Sequence, residues 1–107
     1  MASIGSVFLR TTDMTVAARI LQTFFTVAEP EPGATWLEVA GDVPIFVEQV
    51  APDVELHDAE FGIRVEDASS ARDELDGYPV SEIFEVAPGV KGFNVNDPRV
   101  QSLFIHE

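Results

Sequence analysis

Two stretches of this sequence share one grammar about half a chain apart: an apolar strand, an aspartate, then a helix. Val7-Phe8-Leu9-Arg10-Thr11-Thr12-Asp13 lies over Phe61-Gly62-Ile63-Arg64-Val65-Glu66-Asp67, an offset of 61 − 7 = 54 in a chain of 107 residues. Arg10 then meets Arg64, Asp13 meets Asp67, Ala17 meets Ala71 and Leu21 meets Leu75. Repetition at this scale implies two copies of one supersecondary unit, neither able to bury its apolar face alone. The chain is thereby restricted to folds assembled from two like halves.

Local chemistry supplies the elements. Asp13 and Asp67 are good helix N-caps, because a carboxylate accepts hydrogen bonds from the free N–H groups of a first turn. Behind Asp13, Val16, Ile20 and Phe24 recur at helical spacing, as do Ala17, Leu21 and Phe25. Behind Asp67, Ala68, Ala71 and Leu75 mark a shorter helix, which Gly77 and Pro79 close. Strands are expected at 26–29, 34–40 and 44–49 in the first half, and at 81–86, 91–96 and 102–106 in the second. Turn residues separate them: Pro30-Glu31-Pro32-Gly33, Gly41-Asp42, Pro88-Gly89 and Asp97-Pro98. Each half reads β-α-β-β-β, not the βαβα alternation of a parallel-sheet fold. The expectation is one α+β domain over residues 1–107, made of two βαβββ modules (4–52 and 53–107) related by an internal pseudo-twofold. A curved mixed sheet would carry the helices on its outer face.

Side chains alternate across a strand. One parity is apolar throughout: Val7 and Leu9, Leu37 and Val39, Ile45 and Val47, then Phe61, Ile63 and Val65, Phe93 and Val95, Leu103 and Ile105. These form the expected core beneath the helices. The other parity is mixed. It carries Ser6, Phe8 and Arg10; Trp36 and Glu38; Phe46 and Glu48; Glu60, Gly62 and Arg64; Gly92, Asn94 and Asn96; Phe104 and His106. On a concave face that mixture is what a small-molecule pocket looks like; on a flatter one it closes a dimer. Phe8, Trp36, Phe46 and Phe104 left wholly bare would make a large apolar patch.

Charge narrows the partners. Nineteen Asp and Glu against six Lys and Arg give a formal charge of −13. Such a surface repels nucleic acid and acidic membranes and attracts cations, though acidic residues also serve simply to solvate a surface. The absence of cysteine removes disulfides and thiolate chemistry. No apolar run approaches the roughly 18 residues of a membrane span. Met1-Ala2-Ser3-Ile4-Gly5-Ser6 has no basic start followed by an apolar run, so a cytoplasmic protein is expected. There is no phosphate-binding glycine loop, dinucleotide turn or zinc spacing.

With these segments and Phe93-Asn94-Val95-Asn96-Asp97-Pro98, the chain resembles the vicinal oxygen chelate superfamily of glyoxalases, bleomycin-resistance proteins and extradiol dioxygenases, over about residues 4–107. The resemblance implies a metal box formed by the first residue of each repeat strand and a glutamate on each last strand. Here those positions read Ser6, Phe46, Glu60 and Phe104. One carboxylate and two phenyl rings do not suit a hard divalent ion. A register slip of two would instead offer Glu48, Glu60 and His106 to a metal.

Three hypotheses follow. The first is a metal-independent, cofactor-free binding or sequestration protein of the bleomycin-resistance type. Its ligand would be cationic or aromatic and held by Phe8, Arg10, Trp36, Glu38, Phe46, Glu48, Glu60, Arg64, Asn94 and Phe104. Arg10 and Arg64 could anchor an anion instead, or simply pair with Glu38 and Glu60. The second is a metal-dependent lyase, isomerase or dioxygenase using Glu48, Glu60 and His106, with Glu60 and His106 as the catalytic candidates. The third is a partner protein with no pocket. His57 reads as a loop residue. The resemblance also implies a homodimer.

Overall fold

The computed structural model describes residues 2–107, so Met1 of the N-terminal segment lies outside the described residues. Strand β1 (Val7–Thr11) leads through Asp13 into helix α1 (Met14–Leu21), followed by β2 (Trp36–Val39) and β3 (Ile45–Gln49). The second half runs β4 (Gly62–Arg64), α2 (Ala68–Glu74), β5 (Phe84–Ala87), β6 (Val90–Val95) and β7 (Leu103–His106). The expected α+β class holds. The strands form two sheets, ordered β1-β3-β2 and β4-β7-β6-β5. In each, the first strand runs parallel to the last and the others are antiparallel.

The repeat persists in three dimensions. Asp13 and Asp67 both sit in extended backbone and accept from the N–H three residues on, Val16 at 3.2 Å and Ser70 at 3.0 Å. A second cap reaches each helix from the end of its own sheet. Gln49 Oε1 accepts from the Met14 N–H at 3.0 Å, and Glu107 Oε2 accepts from the Ala68 N–H at 2.9 Å. One first-turn donor of each helix is thus satisfied locally and another by a residue 35 or 39 positions along the chain.

Two expectations shift. Residues 26–29 form no strand, so the first unit is βαββ and β2 is left as an edge. The helical spacing that included Phe24 and Phe25 stops early, since α1 ends at Leu21; the two rings pack against the core from the turns beyond it. Gly77 has the left-handed backbone (φ +93°) expected after α2.

The core follows strand parity. Leu9, Val39, Ile45, Val47, Ile63, Phe93, Val95, Leu103 and Ile105 are buried with Ala17, Ile20, Leu21 and Leu75 from the helical segments. Fully burying one such side chain is worth about 1.5–3 kcal/mol. No described helix is long and apolar enough to cross a membrane.

One short segment joins the halves. Arg10 and Gln101 meet backbone to backbone at 3.0 Å, and Gln101 Oε1 accepts from the Arg10 N–H at 2.6 Å. The buried Thr11 hydroxyl donates to the Arg99 carbonyl, which also receives the Thr12 N–H. The segment is held in shape by buried Asp97, whose carboxylate accepts from the Arg99 N–H, Nε and Nη2 at 2.8–3.0 Å. Those hydrogen bonds hold its carboxyl below the ordinary carboxylate value, outweighing burial, which pushes the other way. A lowered carboxyl pKa stabilises the fold above the ordinary value of about 4, and that share disappears as pH falls through the folded-state value. Asp97→Asn is therefore expected to cost about 1–2 kcal/mol at pH 7, the low end for a charged hydrogen bond because Arg99 is half exposed. The gap to wild type should narrow as pH falls below about 4; urea unfolding at pH 7 and pH 3 measures both.

Candidate functional site

The mixed parity of each sheet faces away from the core, and strand register decides which of its side chains meet. In the first sheet Phe8 lies opposite Phe46, and Trp36 opposite Glu48. Phe46 stacks between the other two rings, 5.6 Å from Phe8 and 5.3 Å from Trp36, centroid to centroid. Phe8 and Trp36 stand 67% and 59% exposed, so this is a raised aromatic row rather than part of the core.

The second sheet carries a different row. Phe104 lies near-parallel to Phe84 at 6.2 Å and to His106 at 5.1 Å. Phe104 and His106 are half-buried. Register shows why. Gly62 faces Phe104 where Phe8 faces Phe46, and Gly92 faces His106 where Trp36 faces Glu48. A Cβ on Gly62 would stand 2.9 Å from the His106 ring and 3.3 Å from Phe104; one on Gly92 would meet Phe104 at 3.2 Å. The glycines leave room for these rings to lean across neighbouring strands.

Three hollows adjoin these rows. One of about 360 Å³ is lined by Phe8, Trp36, Phe46 and Glu48 with Thr35 and Gln49. A larger one, about 570 Å³, opens beside β1 and is lined by Phe8, Arg10 and Glu60 with His57, Asp58 and Gln101. The third, about 200 Å³, takes in Asn94 and Phe104 with Asp58. Arg64 lies instead on a mostly apolar hollow with Ile4, Phe25 and Phe61. Glu38 is exposed opposite Phe46.

Several expectations need correcting. Glu48, Glu60 and His106 do not converge: no group of three His, Asp or Glu side chains among the described residues could hold a metal ion. Glu48 is on β3 of one sheet, His106 on β7 of the other, and Glu60 precedes β4. The Arg10 guanidinium comes 3.8 Å from Glu48, not Glu38 or Glu60, and both side chains are over half exposed. Such a pair is worth little. Arg64 has no ion pair among the described residues. His57, read as a loop residue, and Gln101 both line the 570 Å³ hollow; nothing local to either predicted that, since the Gln101 amide reaches the His57 carbonyl 44 residues away. Phe84 was also missed. Its place in the second row depends on pairing with Gly92, which no local pattern displays.

Solved structures with this architecture include a lactoylglutathione lyase from Agrobacterium tumefaciens, superposing with TM-score 0.70 over 100% of this chain and 94% of that one at 14% identity. A bleomycin resistance determinant encoded on transposon Tn5 gives 0.64 over 99% and 98%, also at 14% identity. The fold is that of the glyoxalase and bleomycin-resistance proteins. A glyoxalase/bleomycin resistance protein from Streptomyces sp. CB03234 gives 0.66 over 94% and 96%, at 18% identity. No family model and no curated protein matches the sequence. The glyoxalase/bleomycin-resistance fold is thus shared by a lyase and a resistance determinant, so fold alone does not choose between catalysis and binding.

The glycines offer a direct check. A methyl at Gly92 would stand 2.8 Å from the Ile105 carbonyl oxygen, which is backbone and cannot swing away. At Gly62 the obstruction is the His106 ring, which can. Gly92→Ala is expected to destabilise by about 1–3 kcal/mol, and Gly62→Ala by less, in paired denaturant melts.

Proposed function

We propose that this protein is a metal-independent small-molecule binder that holds a flat ligand against its aromatic rows, working as a homodimer. The observation that carries the reading is the Phe8–Phe46–Trp36 row, stacked and largely exposed although its residues belong to a well-ordered sheet. Bare rings of this size favour an aromatic partner or a second protein surface. Glu38 and Glu48 flank them, and the chain carries −13 overall. A cationic aromatic ligand would gain both stacking and charge, cation–π contact adding about 0.5–2 kcal/mol. The ligand set extends the row with Arg10, Glu60, Arg64, Asn94 and Phe104. A second copy would cover the exposed faces, as an isologous contact requires the same patch on both partners.

The metal reading fares worse on chemistry. By the resemblance, the box falls on Ser6, Phe46, Glu60 and Phe104, and that donor set does not fit a hard divalent ion. The competing reading is a metal-dependent lyase, isomerase or dioxygenase, favoured by the fold shared with the lactoylglutathione lyase. It predicts stoichiometric Ni, Zn, Mn or Fe in protein purified without a polyhistidine tag.

Trp36 is the sole tryptophan, so its fluorescence reports on the row directly. Planar aromatic cations are expected to quench it and to raise the melting temperature, a ligand at 100 times its Kd adding about 2.7 kcal/mol. Phe46→Ala should abolish both effects. Sedimentation should give twice the chain mass. Turnover of a substrate that Glu60→Ala abolishes would overturn the binding reading.

A further inference from the structure

His106 stacks on Phe104 in the second row, and its ring is oriented by one bond. Nδ1 lies 2.9 Å from the main-chain oxygen of Glu107. That oxygen can only accept, so Nδ1 is the donor in this contact, and in the tautomer with Nδ1–H as its one N–H the ring presents a bare lone pair at Nε2. Among the described residues no hydrogen bond reaches Nε2. The nitrogen lies 3.0 Å from where a Cβ of Gly62 would stand. The position that holds Phe8 in the first sheet is thus empty of side chain here, and it uncovers an acceptor amid aromatic rings.

We infer that His106 Nε2 is the atom by which this face selects its ligand: a planar aromatic molecule bearing an O–H or N–H on its edge. The inference rests on the reading of the aromatic rows as a ligand site and adds the polar group that site would recognise. A ring parallel to Phe104 is also near-parallel to the imidazole, since the two rings are inclined by 24°. An edge donor on that ligand is then directed at the Nε2 lone pair, which lies in the imidazole plane. A ligand without the donor must leave that nitrogen without its bond to water.

The matched probes are 2-naphthol and 2-methoxynaphthalene, which share one ring system and differ in the O–H. Wild type should bind the naphthol about five- to tenfold more tightly, the effect of one neutral hydrogen bond. His106→Phe keeps a ring and removes the acceptor, and should bring the ratio of the two Kd values close to one. His106→Gln, whose amide oxygen reaches about as far as Nε2, should restore part of it. The ratio is the readout because a general loss of stacking leaves it alone. Equal affinities in wild type overturn the inference while leaving the aromatic site standing, as does failure of both probes to bind where aromatic cations still quench Trp36; failure of the cations as well overturns the two together. An independent reading comes from long-range proton–nitrogen NMR of the unliganded wild type, where His57 is the only other imidazole. The Nδ1–H tautomer is expected for His106, and the Nε2–H tautomer overturns the proposal whatever the variants do.

Discussion

A strand has two faces, and this chain has helix enough for only one. Helices of eight and seven residues cover the inner side of two sheets. The hydrophobic effect fills that side with Leu9, Val47, Phe93 and Ile105. The mixed parity of the strands lies on the uncovered side. Its rings are not there to build the core, because the core is complete without them. Phe8 and Trp36 stay exposed while the residues beside them in sequence, Leu9 and Leu37, turn inward.

The two units do not share a continuous sheet. Their junction is the segment around Asp97–Gln101, where a buried carboxylate, an arginine and a glutamine amide hold one backbone against the edge of β1. Beside the contact, at Gln101, opens the 570 Å³ space that Arg10 and Glu60 also line. The halves share one apolar core as well, and the buried carboxylate makes the polar part of the junction sensitive to acid, since ionised Asp97 holds Arg99.

The internal repeat supplies a scaffold, and its departures supply the chemistry. Cap for cap the halves correspond, with β1, β2 and β3 matching β4, β6 and β7, down to Gln49 and Glu107 reaching back to their helices. They differ where glycines replace the partners of a central phenylalanine. The first sheet presents a raised row of three rings, whereas in the second Phe104 and His106 lean across Gly62 and Gly92. One repeated unit thus presents two unlike surfaces.

Strand parity made the core legible from the sequence, and the two capping aspartates made the repeat legible, because both are signals a few residues long. The aromatic lining could be assigned to a face for the same reason. The strand expected at 26–29 failed because a strand exists only with a neighbour to pair with, and β2 found its partner in β3 instead. The metal trio failed because Glu48 and His106 belong to different sheets. The sequence by itself determined which side chains turn inward, since a period of two needs no knowledge of the partner strand. Only the tertiary structure decided which of the outward ones touch: Phe84 beside Phe104, Gln101 against His57, and the His106 imidazole over Gly62. Those contacts depend on register between segments far apart in the chain, and register is set by the whole sheet rather than by any residue in it.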